Sequence, residues 1–144
     1  MAQSRESVGL TATRIVLGTF FVFEGLSKRA WLTHPGLLTD QLNKYLAAAE
    51  PANRWYLETV CLPYAWLLAR AVLAGELLGG SALIAGMWTR VVATLLLLMV
   101  LNFHFASGAI LSYAFLTNGY GLPVLAGLIG LAIGGGRLPL SLRR

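Results

Sequence analysis

The chain has 144 residues, of which 57% are hydrophobic and only 12% charged, with 16 glycines and a mean hydropathy of +0.70. An average soluble domain carries about 25% charged residues, so lipid is the solvent for most of this sequence, which excludes a soluble enzyme and a disordered tail. The net charge of +5 comes from basic residues scattered singly between apolar runs, a pattern of loop anchors and not of a nucleic-acid-binding face, and the single cysteine, Cys61, excludes dithiol chemistry within one chain.

In chain order, the first predicted span covers about 11–27. It is short, roughly 25 Å by the 1.5 Å rise, and is closed by Lys28 and Arg29. Its apolar run Ile15–Phe23 has the length of a signal peptide, but Glu24 follows and no small-x-small cleavage site appears, so a retained span is expected. The only hydrophilic stretch, about 29–62, interleaves Asp40, Lys44, Glu50 and Arg54 with Trp31, Leu37, Leu38, Leu42, Tyr45, Leu46, Trp55 and Tyr56. Apolar residues at helical spacing from Asp40 onward, and Trp and Tyr suited to the headgroup zone, predict one or two interfacial helices between spans 1 and 2, against the simpler reading of a plain connector. A second span is predicted over about 63–88, opened by Pro63 and closed by the link Gly86-Met-Trp-Thr-Arg90. From Val91 to Gly136 there is no Asp, Glu, Lys or Arg. That length holds two spans, about 91–112 and 120–136, with the turn at Thr117-Asn-Gly-Tyr-Gly121, where Asn and Gly tolerate a positive φ. The expected fold is all-α: a single integral membrane domain over 1–144 built as a four-helix bundle.

Four spans put both termini on one side. Arg5, Arg14, Arg90, Arg137, Arg143 and Arg144 fall at that side, against Lys28, Arg29, Lys44 and Arg54 in the long loop. Because the positive-inside rule weighs basic residues and largely discounts acidic ones, both termini are expected to be cytoplasmic, with the loop outside.

Five titratable residues lie within or at the ends of the spans: Arg14, Glu24, Arg70, Glu76 and His104. A charge at a helix centre costs about 2.5–3.5 kcal/mol on insertion scales, so each calls for a partner or a role. Arg14 is expected to snorkel to the inner headgroups. Glu24 has two possible partners, Lys28 at i+4 or Arg70 at a similar depth on the second span. Glu76 and His104 fall near the same depth with Asn102 close by, and Arg70 would tune Glu76. Whether Arg70 and Glu76 form only a structural ion-pair network, and whether His104 is merely satisfied by a backbone carbonyl, stays open. His104 shares a face with Ser107, Gly108 and Leu111, a small polar notch. Roofed by Phe103, Phe105, Trp66 or Phe21, such a notch suits a flat lipophilic ring with two carbonyls, a quinone, whose reduction needs protons. Glu76, His104 and Arg70 are therefore the quinone or proton-exchange candidates, with Glu24, Lys28, Asn102 and Ser107 as a supporting polar network. Two histidines are too few for a ligand set, so no metal is predicted. Gly75 with Gly79, and Ala126, Gly130 and Gly134, have the small-xxx-small spacing that serves either packing within the bundle or association with another subunit.

The segments Arg14-Ile-Val-Leu-Gly18, Glu24-Gly-Leu-Ser-Lys28, Glu76-Leu-Leu-Gly79-Gly80 running into Thr89-Arg90, and Gly134-Gly-Gly136-Arg137 resemble the DoxX/DoxD-like family of small four-helix membrane proteins. The resemblance spans most of the chain outside the loop, and departs from it where Ser141-Leu142 leads to Arg143 and not to the usual Asp. It implies a four-helix bundle and an association with quinone-linked redox systems, of which the thiosulfate:quinone oxidoreductase subunit is the named case, without implying an activity for every member. Glu24, Lys28, Glu76 and Arg90 match family-like positions. With no CxxCH and no haem-type His pair, electrons would come from a partner. The chain then reads as the quinone-interacting subunit of an electron-transfer complex, or alternatively as a non-catalytic accessory subunit packing against a larger membrane complex or itself. A small transporter is the weakest reading, since the sequence has no inverted repeat.

Overall fold

The computed structural model describes residues 5–34, 36–110, 112–136 and 138–142, and every element among them is helical. Leu111 and the tail residues Arg137, Arg143 and Arg144, invoked above for the notch and the charge balance, lie outside the described residues. The elements are α1 (Arg5–Ser27), a 3-10 turn (Arg29–Leu32), α2 (Gly36–Ala47), α3 (Pro51–Tyr56) continued by a π-helical turn (Leu57–Cys61), α4 (Ala65–Ala85), α5 (Thr89–Ala106), α6 (Tyr113–Thr117) and α7 (Leu122–Gly134). Three of these, α1, α4 and α5, are long and apolar enough to cross a membrane, whereas α7 is apolar but has only 13 residues.

Two span boundaries differ from the sequence expectation. The third span was expected to run to 112, yet α5 stops at Ala106. Gly108 adopts a left-handed φ of +67°, and the Ala109 N–H folds back onto the His104 carbonyl at 2.9 Å, which ends the helix as a left-handed glycine commonly does. Hydropathy cannot see this stop, because the residues beyond it are as apolar as those before. Ser112 then caps α6, accepting from the Phe115 N–H at 3.2 Å. At the other extreme α1 begins at Arg5, six residues before the predicted start, since helix geometry continues past the point where the sequence ceases to be apolar.

Helix α1 lies along α4 and α5 along α7, with α4–α5 and α1–α7 contacts closing a ring. The α1–α4 contact is close at Gly18 and Gly80: a Cβ on either would come within 2.7 Å of the other's carbonyl oxygen. Hydrophobic force between helices is absent in lipid, so such small-residue contact supplies the packing. Gly75 and Gly79 are turned onto Met99 and Leu96 of α5, and Gly134 onto Leu10 of α1. Gly75 and Gly79 therefore serve the bundle, as does the Gly134 end of the second stripe, whose Ala126 is exposed.

The same contacts fix the register. Gly25, two residues before the end of α1, faces Leu77, which is twelve residues into α4. The N-terminal half of α4 thus extends about ten residues, roughly 15 Å, beyond the end of α1. The loop helices wrap this protruding half in a second apolar core of Leu38, Leu42, Leu57, Cys61, Ala65, Ala69 and Ala106. The main core, with Leu17, Phe21, Leu83, Leu96, Leu128 and Leu131, occupies the other end. Burial raises the Cys61 thiol above its ordinary range, so it behaves as a small apolar core group.

Arg14 corrects the snorkelling expectation. It is 0% exposed, and its guanidinium donates to the carbonyls of Leu83 (3.0 Å) and Ile84 (3.4 Å) at the end of α4 and of Pro139 (3.3 Å) and Leu140 (3.0 Å) in the tail. A helix C-terminus leaves carbonyls without intrahelical donors, and a planar fork of N–H groups satisfies them inside the protein more fully than headgroups would. The Leu142 N–H adds a bond to the Ala85 carbonyl at 3.0 Å, so the tail is strapped across the end of α4.

Candidate functional site

The step between the end of α1 and the protruding half of α4 leaves a cavity of about 430 Å³ in the middle of the ring. Its walls come from every part of the fold: Phe20, Phe21, Glu24 and Lys28 from α1, Glu76 from α4, Phe103, His104 and Ser107 at the end of α5, and Tyr120 and Val124 at the start of α7. Trp31, Gln41 and Tyr45 of the loop close it over. Volume and lining are those of a small-molecule site, with six aromatic side chains and six polar ones converging on it.

One wall is an ion cluster. The Lys28 ammonium lies 2.9 Å from Glu24 Oε2 and 2.8 and 2.9 Å from Glu76 Oε1 and Oε2, and it also donates to the Glu24 carbonyl at 3.3 Å. The Glu76 side chain is only 6% exposed, Lys28 17% and Glu24 31%. Two carboxyl groups share one ammonium, which is the counter-charge of the most deeply buried of the three groups. The geometry follows from the register: Gly25 opposite Leu77 brings the last turn of α1 level with Glu76, and the four-carbon Lys28 stem spans the remaining gap.

His104 stands on another wall. Its Nε2 is 3.1 Å from the Tyr120 carbonyl, an oxygen that only accepts, so Nε2 carries the proton and Nδ1 is left as the acceptor of the ring. Phe115 packs edge-on against the imidazole with centroids 4.8 Å apart, and Ser107 Oγ donates to the His104 carbonyl at 3.2 Å. His104 is thus satisfied at Nε2 by a backbone carbonyl, the arrangement that the sequence reading left open.

Of the predicted residues, Glu24, Lys28, Glu76, His104 and Ser107 line this one cavity, and so do Phe21 and Phe103 from the expected roof. Arg70 does not. It is exposed, donates to the Trp66 carbonyl at 2.9 Å and stacks its guanidinium 5.6 Å over the Trp66 ring. The two Arg70 pairings fail for different reasons: Arg70 lies on the part of α4 that extends beyond α1 and so out of reach of Glu24, and it stands about 240° around α4 from Glu76, while Lys28 holds both glutamates. Asn102 also turns away, accepting a hydrogen bond from Tyr56 of α3, while Phe105 stacks on Tyr56 with centroids 5.4 Å apart. Two residues of α-helix rotate by about 200°, so Asn102 and His104 face opposite sides of α5. Tyr45 was read only as an interfacial residue, and Gln41 was not singled out. Their i,i+4 spacing, which puts both on one face of α2, was the available sign that they act together.

The family model for DoxX matches residues 9–109, a stretch that holds Glu24, Lys28, Glu76, His104 and Ser107. No curated protein and no solved structure matches the chain.

Proposed function

The chain belongs to the DoxX family of membrane proteins, and from that premise we propose that it is the quinone-binding subunit of a membrane electron-transfer complex, with the ring of the quinone in the cavity between α1, α4 and α5. The observation that carries this reading is the meeting, in one aromatic-walled space, of a buried ion cluster and a histidine with one ring nitrogen free to exchange a proton. A quinone takes up two electrons and two protons on reduction, the electrons coming here from a redox partner. The walls Phe20, Phe21, Trp31, Phe103 and Tyr120 present apolar faces to a flat ring. On reduction His104 Nδ1 takes up one proton from solvent and passes it to a ring carbonyl while Nε2 stays anchored on Tyr120, and the second proton reaches the other carbonyl from water. Ser107 and Gln41 supply hydrogen-bonding groups on either side of it. Lys28 is already engaged by both glutamates, so the cluster acts as a fixed charge near the ring and not as a donor to it.

In this reading all four main helices cross the membrane, α7 completing its crossing with the irregular residues on either side. Both termini face the cytoplasm of a bacterial cell, and the cavity opens in the half of the bilayer nearer the external loop. The glycines Gly75, Gly79 and Gly134 make their close contacts inside the bundle, on Met99, Leu96 and Leu10, and so give the accessory reading no specific support.

Purification in a mild detergent followed by solvent extraction is expected to recover quinone with the wild-type protein. His104→Ala and Glu76→Gln should each retain at least several-fold less. Equal recovery from all three, or stable co-purification with a larger complex and no quinone, would remove this function.

A further inference from the structure

A second hollow, of about 470 Å³, lies between α1 and α7 and is lined by Ala12, Thr13, Val16, Leu17, Phe20, Pro123, Val124 and Gly127. Phe20 and Val124 line this hollow and the central cavity alike. The two spaces therefore adjoin through a shared wall of two side chains. They differ in chemistry: the first has an ion cluster and a histidine, whereas the second has no charged side chain and, apart from the Thr13 hydroxyl, no polar one. That hydroxyl is already committed, donating to the Gly9 carbonyl at 3.0 Å.

The floor of the groove is where Gly127 of α7 packs directly on Leu17 of α1: a Cβ there would come within 2.7 Å of the Leu17 side chain. Ala12 and Val16 of α1 are exposed along its rim, and Pro123 lies at the start of α7, where it costs nothing in hydrogen bonding. It runs along α1 from the level of Phe20 back towards Ala12, away from the loop and towards the end of the bundle where Arg14 sits. A ligand with its head against Glu76 and His104 and a long chain leaving past Phe20 and Val124 would lie in both spaces at once.

We infer that the groove between α1 and α7 is the binding site for the hydrocarbon tail of the ligand, a polyisoprenoid or alkyl chain, so that the protein takes long-tailed quinones with head and tail held in separate compartments. This rests on the quinone reading above. Lipid tails are as apolar as the groove, so burial gives little preference for one chain over another, and position, more than affinity for apolar matter, is what the groove provides. Phe20, packed edge-on against Phe21 with centroids 5.2 Å apart and tilted against Tyr120 at 5.7 Å, marks where the ring ends and the tail begins.

The test uses two photoreactive quinones in lipid nanodiscs, one with an azide on the ring and one with a diazirine on the tail, and maps the adducts by mass spectrometry. The tail probe is expected to label peptides containing Ala12–Phe20 and Pro123–Gly127, and excess unlabelled long-tailed quinone should suppress that labelling. Ala12→Trp and, as an independent variant, Val16→Trp fill the groove from exposed positions and should lower tail labelling there at least fivefold. Ring labelling inside the cavity should be unchanged in both. Ring adducts in the cavity with tail adducts spread evenly over lipid-facing residues such as Leu95 and Leu98, unaffected by competitor, would overturn this inference and leave the quinone reading standing. Loss of specific labelling by both probes would overturn the two together.

Discussion

Lys28→Met is expected to be among the most destabilising single substitutions outside the apolar core, by about 3–5 kcal/mol, because it leaves the Glu76 carboxylate buried beside Glu24 with no counter-charge. Removing one partner of a buried pair costs more than the pair itself contributes, since the survivor keeps its desolvation penalty. The double variant Lys28→Met with Glu76→Gln should recover most of that loss, and Glu24→Gln alone, at a group 31% exposed, should change stability little. Reversible unfolding in mixed detergent micelles measures all four proteins. A Lys28→Met variant as stable as wild type, or a double variant no better than the single, would show that the cluster does not hold α1 to α4.

Arg14→Met is expected to have an effect of similar size from a different source. Four carbonyls, two on α4 and two in the tail, lose the guanidinium together; Leu83 keeps the Gly86 N–H at 3.1 Å, and each buried acceptor left without a partner costs about 1–3 kcal/mol. Relaxation of the tail into water would relieve part of this, so a net loss on the order of 3 kcal/mol is expected, with the tail coming free. Limited proteolysis reads the second consequence directly: cleavage within 138–142 should be faster in Arg14→Met than in wild type, and intermediate in Arg14→Lys, whose ammonium cannot span both carbonyl pairs. Equal cleavage in all three would mean that the tail is held by its own packing, chiefly buried Leu138, and not by the guanidinium.

Much of the site was legible because local rules carry it. The i,i+4 spacing of Glu24 and Lys28 gave one ion pair, the shared helical face of His104 and Ser107 gave the notch, and the resemblance placed Glu24, Lys28 and Glu76 in one set. What the sequence hid was register. Apolar residues mark where a helix is buried in lipid, but they do not say how far one helix slides past its neighbour. The roughly 15 Å offset of α1 and α4, set by Gly18 against Gly80 and Gly25 against Leu77, decides that Glu76 meets Lys28 and that Glu24 does not meet Arg70. Arg14 was misread for a related reason: a lone arginine near a span end looks the same whether headgroups or protein carbonyls receive it. The early end of α5 turns on the φ of a single glycine, and the loop residues Trp31, Gln41 and Tyr45 close the cavity only because their helices wrap the protruding half of α4.

Photolabelling with the ring-azide quinone in nanodiscs tests the central claim most directly. The predicted result is adducts on the cavity side chains, among them Trp31, Tyr45 and Phe103, that disappear when unlabelled quinone is present in excess. Adducts confined to lipid-facing residues and indifferent to the competitor would contradict it.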